Sequence, residues 1–168
     1  MSESKGVDAQ TGTKYALGML SAALAGANLI LAVGYLAQGL TSSLESCVLA
    51  DEAISMMRRF MLGIEVTPET LAVGVVDRVG PNGNFLSEEH TLKYMRSEIW
   101  YPTVFERRHF EDWAEDGAIP LKVRLRERAV EILKTHRPVL LPGETLKVLR
   151  GIAGELRTGS NLHVSPLV

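Results

Sequence analysis

Asn28-Leu29-Ile30-Leu31-Ala32-Val33 is the stretch on which the fold turns. It sits inside a run of 30 residues, Tyr15 to Leu44, that contains no Asp, Glu, Lys or Arg. A run that long has to be buried in lipid or in protein, because more than about 18 mainly apolar residues are enough to span a bilayer as a helix. The length test for a membrane span is met, and Gly18, Ala22 and Gly26 resemble the small-residue packing face of membrane helices. Punctuation speaks for the other reading: Gly18, Gly26, Gly34 and Gly39 interrupt the run, Asn28 and Gln38 lie within it, and Thr41-Ser42-Ser43 ends it.

The run divides into three pieces. Thr13 to Ala25 is rich in Ala, Leu and Met and reads as a helix closed by Gly26. Asn28 to Val33 is a short apolar stretch with β-branched members between glycines, as expected of a strand covered on both faces. Gly34 to Leu40 reads as a loop. Helix, buried strand, loop and a new helix is the order of a parallel α/β sheet or barrel.

The chain has 168 residues, which allows one domain with its own core but not a complete eight-stranded α/β barrel of about 250. With 18 basic and 20 acidic residues it carries no global field that would favour nucleic acid or an anionic membrane surface. Its one cysteine, Cys47, has no internal disulfide partner, and Ser2-Glu3-Ser4-Lys5 shows no cleavable signal pattern, so a reducing cytoplasm is expected. Cys47 is expected as a small buried apolar side chain.

After residue 42 the sequence becomes charge-rich and helical. Ser42 and Glu45 have the spacing of a capping box, and the helix they open closes at Gly63. Thr67-Pro68-Glu69 starts a second helix running to about Val79, where Gly80-Pro81-Asn82-Gly83-Asn84 forms a turn. Further helices are expected from Ser87 to Pro102, around His109 to Asp116, and from Pro120 to His136. A last one, Gly143 to Arg157, is weakened by Gly151 and Gly154, and Thr158 to Val168 is expected as a disordered tail. The expected division is therefore 1–62 for βα units, 63–157 for a helical region and 158–168 for the tail. One strand cannot make a sheet alone. The sequence thus reads as the C-terminal end of a larger α/β protein, or as half of a two-chain assembly, and alone it is expected to form oligomers or to be poorly soluble.

Chemistry is sparse. His90, His109, His136 and His163 stand apart, without metal-ligand spacing, so no metal site is expected. No phosphate-binding loop or nucleophile elbow is present. Trp100, Tyr101 and Trp113 read as core or interface aromatics. In parallel α/β folds ligands sit beyond the C-terminal strand ends, which points to the loop Gly34–Leu40 and its polar members Tyr35 and Gln38. Glu45, in the next helix's first turn, would face the same space or cap that helix. The segment containing Asp8 and Gln10 would join this face if another strand preceded it; Asp8 equally suits an N-cap.

Asp8-Ala9-Gln10, Leu24-Ala25-Gly26-Ala27-Asn28-Leu29-Ile30, Gly34-Tyr35-Leu36, Gly63-Ile64-Glu65-Val66, Val79-Gly80-Pro81-Asn82-Gly83-Asn84-Phe85-Leu86 and Glu89-His90-Thr91-Leu92 follow in one order. Together they resemble the C-terminal part of the trimethylamine methyltransferase family, over about residues 4 to 157. The resemblance implies an α/β fold, predominantly helical here: the C-terminal portion of a TIM (β/α)8 barrel followed by C-terminal helices. It also implies methyl transfer from a methylated or quaternary amine, such as trimethylamine or glycine betaine, to the cobalt of a corrinoid (cobalamin) carried by a separate corrinoid protein. A quaternary ammonium has no hydrogen-bond donor and is held by aromatic faces and carboxylates, which suits Tyr35 and Glu45. The alternatives are a non-catalytic remnant or docking module that binds a partner chain or corrinoid protein, and a single-span membrane protein. The remaining expected partners are further copies of the chain or the missing barrel portion.

Overall fold

A computed structural model of the protein describes residues 2–159. Helix dominates it. The order is α1 (Ala9–Leu24), β1 (Tyr35–Leu36), a 3-10 turn (Ala37–Gly39), β2 (Thr41–Ser42), α2 (Leu44–Met61), α3 (Pro68–Leu71), α4 (Val73–Val79), α5 (Glu89–Glu98), α6 (Phe110–Glu115), α7 (Leu121–Thr135) and α8 (Gly143–Gly159). Two compact units are separated at Lys134, so residues 63–134 go with α1 and α2 rather than standing apart. The reason lies in the core. Tyr15 and Met19 of α1, Leu36 of β1, and Leu49, Ala50 and Ala53 of α2 form one cluster with Val104 and with Leu125 of α7. The second unit, from Thr135 onward, contains α8, which runs through Gly151 and Gly154 without a break. Thr158 and Gly159 are helical, and the rest of the expected tail lies outside the described residues.

Asn28–Val33 is not a strand. Among the described residues, none of its six backbone units bonds to another backbone group. The physical reason is the lack of a neighbour: among the described residues the only sheet is the antiparallel β1–β2 pair, with Tyr35 opposite Ser42 and Leu36 opposite Thr41. Exposure nevertheless alternates from Leu29 to Val33, although Ala32 is left-handed at φ 61°. Ile30 and Ala32 are partly covered, with Ile30 packed on the core, whereas Leu29 and Leu31 are 73% and 72% exposed and Val33 also faces outward.

Three local features resolve differently from the sequence pattern. The box that opens α2 is formed by Ser43 and Ser46, whose hydroxyls each accept from the other's backbone N–H at 3.0 Å, not by Ser42 and Glu45. Thr67 and Thr70 cap α3 in the same reciprocal way, but Ala72 turns left-handed at φ 50° and divides the expected single helix into α3 and α4. Cys47 is exposed rather than buried, because it lies on the outer side of α2's first turns. No helix among the described residues is long and apolar enough to cross a membrane.

Polar contacts fix the outer helices. Arg59 of α2 donates to the Glu98 carbonyl and carboxylate at the end of α5, at 2.8 and 2.6 Å through Nη2. His90 meets the Glu69 carbonyl at 2.8 Å, and Lys93 pairs with the Glu69 carboxylate. Trp100 donates to Ser55 at 2.9 Å.

Candidate functional site

The site is a loop held from three sides. Gly34 is the pivot: its φ is +79°, and a Cβ there would lie 2.7 Å from Cys47 Sγ and 3.2 Å from Cys47 Cα, so only glycine fits against α2. The loop runs from there into β1 and then through Ala37 and Gln38, two consecutive non-glycine residues at φ 47° and 59°. Such positions cost of order 1–3 kcal/mol each and persist only where surrounding contacts impose them.

Those contacts are visible. The N-terminal segment lies along the loop: Ser2 N–H donates to the Tyr35 carbonyl (3.0 Å), Ala37 N–H to the Ser4 carbonyl (2.9 Å) and Gln38 N–H to the Ser2 carbonyl (3.2 Å). From α1, the buried Tyr15 hydroxyl donates to the same Tyr35 carbonyl at 2.9 Å. From α2, the buried Ser46 hydroxyl reaches the Gly34 carbonyl at 2.6 Å and the Ser43 carbonyl at 2.7 Å. Every buried polar group here has a partner, as a defined loop conformation requires.

The structure brings the Asp8 segment and the Tyr35–Gln38 loop together through Ser4. Its carbonyl takes the Ala37 N–H, and its hydroxyl donates to Asp8 Oδ2 at 2.7 Å. Asp8 caps α1, accepting from Thr11 N–H at 2.9 Å. The Ser4 hydroxyl, and then the Thr11 amide, hold its carboxyl below the usual carboxylate range, so it stays anionic. The Tyr35 ring is 45% exposed, the Gln38 side chain is exposed, and neither makes a side-chain hydrogen bond. Gln10 is exposed on α1; Glu45, half-buried in the first turn of α2, leaves the capping to Ser43 and Ser46 and complements the helix dipole. Neither bonds to the loop. No group of His, Cys, Asp and Glu able to hold a metal ion exists among the described residues.

Sequence reasoning missed Tyr15, Ser46, Ser2 and Ser4. A signal for two of them is present: Tyr15 is the one phenol of α1, and Ser46 follows Ser43 at the three-residue spacing of a reciprocal cap. It missed Glu52 as well. This carboxylate, 2% exposed, accepts three consecutive amides, of Thr103, Val104 and Phe105, and the Thr103 hydroxyl. Burial pushes it up, but these donors outweigh burial and hold it low.

The model of the family described as trimethylamine methyltransferase matches residues 1–153. The chain is 39% identical to trimethylamine methyltransferase MttB of Desulfitobacterium hafniense over 153 residues, 91% of this chain and 31% of that protein. It is 38% identical to MttB2 of Methanosarcina mazei over 154 residues, 90% of this chain and 30% of the relative. Glycine betaine methyltransferase of D. hafniense is 32% identical over 145 residues, 86% of this chain and 30% of that protein. The chain therefore spans about a third of the length of these relatives.

Proposed function

Because the chain belongs to the trimethylamine methyltransferase family, we propose that it is the C-terminal part of an enzyme that moves a methyl group from a methylated or quaternary amine to the cobalt of a corrinoid protein. The observation that carries this reading is the continuity of residues 28–38. A backbone-unpaired, alternately apolar segment runs directly into a rigidly held loop bearing Tyr35 and Gln38. In a completed barrel Asn28–Val33 would become a strand once Ala32, left-handed here at φ 61°, turned extended, and the loop would lie beyond its C-terminal end, where ligands of such folds bind.

A corrinoid carried by a partner protein would supply the cobalt nucleophile. The chain's own task is to hold the donor, orient one N–CH3 bond and keep water away. The open ring face of Tyr35 suits a cation without hydrogen-bond donors, and the ionised Asp8, behind Ser4, adds negative potential. From a quaternary or protonated amine the carbon–nitrogen bond breaks with its electron pair left on nitrogen and a neutral amine departs, so no further proton is needed at that step; a neutral tertiary amine has to be protonated before it can leave.

The test is to co-express the chain with the preceding two-thirds of the D. hafniense relative, then assay methyl transfer from trimethylamine and glycine betaine to reduced corrinoid protein. Transfer is expected only when both polypeptides are present. A complex that forms without transfer, while the relative's own C-terminal part restores it, would refute the catalytic reading and leave a docking module. The exposed Leu29 and Leu31 favour that second reading equally.

A further inference from the structure

We infer that Tyr15 and Ser46 are positioning residues whose two buried hydroxyls, one from α1 and one from α2, hold consecutive carbonyls and thereby lock the Ala37–Gln38 turn in its left-handed form. The inference rests on the reading of this loop as the methyl-donor site, but its structural content stands on its own geometry. Tyr15 is 2% exposed and Ser46 0% exposed, so neither hydroxyl has water to fall back on. Tyr15 gives its proton to the Tyr35 carbonyl at 2.9 Å, and Ser2 N–H fills that oxygen's second lone pair at 3.0 Å. Ser46 reaches the preceding carbonyl, Gly34, at 2.6 Å. The peptide planes on both sides of Tyr35 are thus fixed from two helices that pack on each other through the core.

The consequence falls on the next residues. Once the Tyr35 carbonyl is turned toward α1, the chain has to double back over Ala37 and Gln38, and it does so at φ 47° and 59°. Neither residue is glycine, so this form needs outside enforcement. Burial pushes the Tyr15 phenol upward, with the Ser46 hydroxyl pulling the other way, so the phenol remains a proton donor through the neutral range. Nothing in the chemistry asks these hydroxyls to touch a substrate. Their effect reaches the donor through the Tyr35 ring and the Gln38 amide alone.

The experiment uses the full chain carrying Tyr15→Phe, Ser46→Ala, or both. Three-bond HN–Hα couplings and Cα and Cβ shifts of Ala37 and Gln38 report the sign of φ. Tetramethylammonium, an unreactive quaternary probe, is titrated in parallel and followed at Tyr35 and Gln38. In the double variant the positive-φ signature is expected to be lost while the methyl shifts of Leu125, in the core, stay in place. The half-saturating tetramethylammonium concentration is expected to rise at least tenfold. Tyr15→Phe removes one oxygen and no carbon, which guards against a variant that merely fails to fold. Wild-type couplings at Ala37 and Gln38 in all three variants would overturn the inference. Loss of the left-handed signature with no response to tetramethylammonium, even in the unsubstituted chain, would uphold the positioning role and instead remove the donor-site reading.

Discussion

Replacing Glu52 by glutamine tests the clasp that joins α2 to the segment before α6. In the native protein Oε1 accepts N–H groups from Thr103 (2.9 Å), Val104 (2.9 Å) and Phe105 (3.0 Å), and Oε2 accepts the Thr103 hydroxyl at 2.5 Å. Hydrogen bonds to a charged acceptor contribute about 1.5–3 kcal/mol, against about 0.5–1.5 for neutral pairs. Glu52→Gln keeps the shape and Oε1 but removes the charge, and it places an NH2 group against Thr103. Only part of each difference is lost, so the expected cost is about 2 kcal/mol, and Glu52→Ala, which orphans the amides, costs about 3–4. A local opening made easier by about 2 kcal/mol corresponds to roughly thirtyfold faster hydrogen exchange at residues 103–105. The sign with pH follows from the depressed carboxyl: its contribution is full above the ordinary carboxylate range and is lost as pH falls through the lower folded value. Exchange at the three amides within twofold of wild type, with an unchanged urea midpoint, would refute the clasp.

Other expectations follow from single contacts. Gly34→Ala should destabilise by about 2–3 kcal/mol in urea, since it combines a φ of +79° with a Cβ 2.7 Å from Cys47 Sγ; adding Cys47→Ala should recover part of it. Leu125→Ala, at a fully buried core position, should cost about 2–5 kcal/mol, read from the same midpoint. Glu106 accepts from the Arg108 side chain, the Arg107 and Arg108 amides and Arg124, and its carboxyl is held down to about 2, the Arg108 side-chain bonds being the largest cause. Its carbon resonance should therefore titrate near that pH, and its ion pairs should persist until pH falls toward it. Leu29→Lys with Leu31→Lys should shift the chain to smaller species in light scattering, because both leucines face outward.

Local signals carried most of the helices into view. Thr67-Pro68 and the turn at 80–84 each act within a few residues, and the structure obeys them within one or two positions, whereas the helix expected to run to Pro102 already ends at Glu98. The break at Ala72 was not legible, because an alanine gives no sign of a left-handed turn. The α2 cap slipped by one place because Glu45 offered the usual partner while Ser46 supplied the actual one. In the candidate site, the sequence singles out Tyr35 and Gln38 only by their place after an apolar segment. Tyr15, Ser46 and Glu52 act across 20, 12 and 51 residues of chain, and no local pattern encodes such distances.

The disagreement at Asn28–Val33 has the same physical root. Hydropathy registers what a segment requires, whereas conformation registers what its surroundings supply. Ordering six residues as a strand costs about 1–2 kcal/mol each in backbone entropy, and ladder hydrogen bonds and burial have to exceed that. Within the described residues only one layer is provided, the core under Ile30. Leu29 and Leu31, nearly three-quarters exposed, each hold about 1–2 kcal/mol of unrealised burial, and none of the six backbone units bonds to another backbone group, although Ala32, at φ 61°, would first have to become extended to join a ladder. A second layer of strands would supply both terms at once, while loop 34–38, already fixed by Tyr15 and Ser46, would need no rearrangement. The asymmetry between an unpaired apolar segment and a loop whose carbonyls are already held places the stability to be gained in residues 28–33 and not in the turn that follows them.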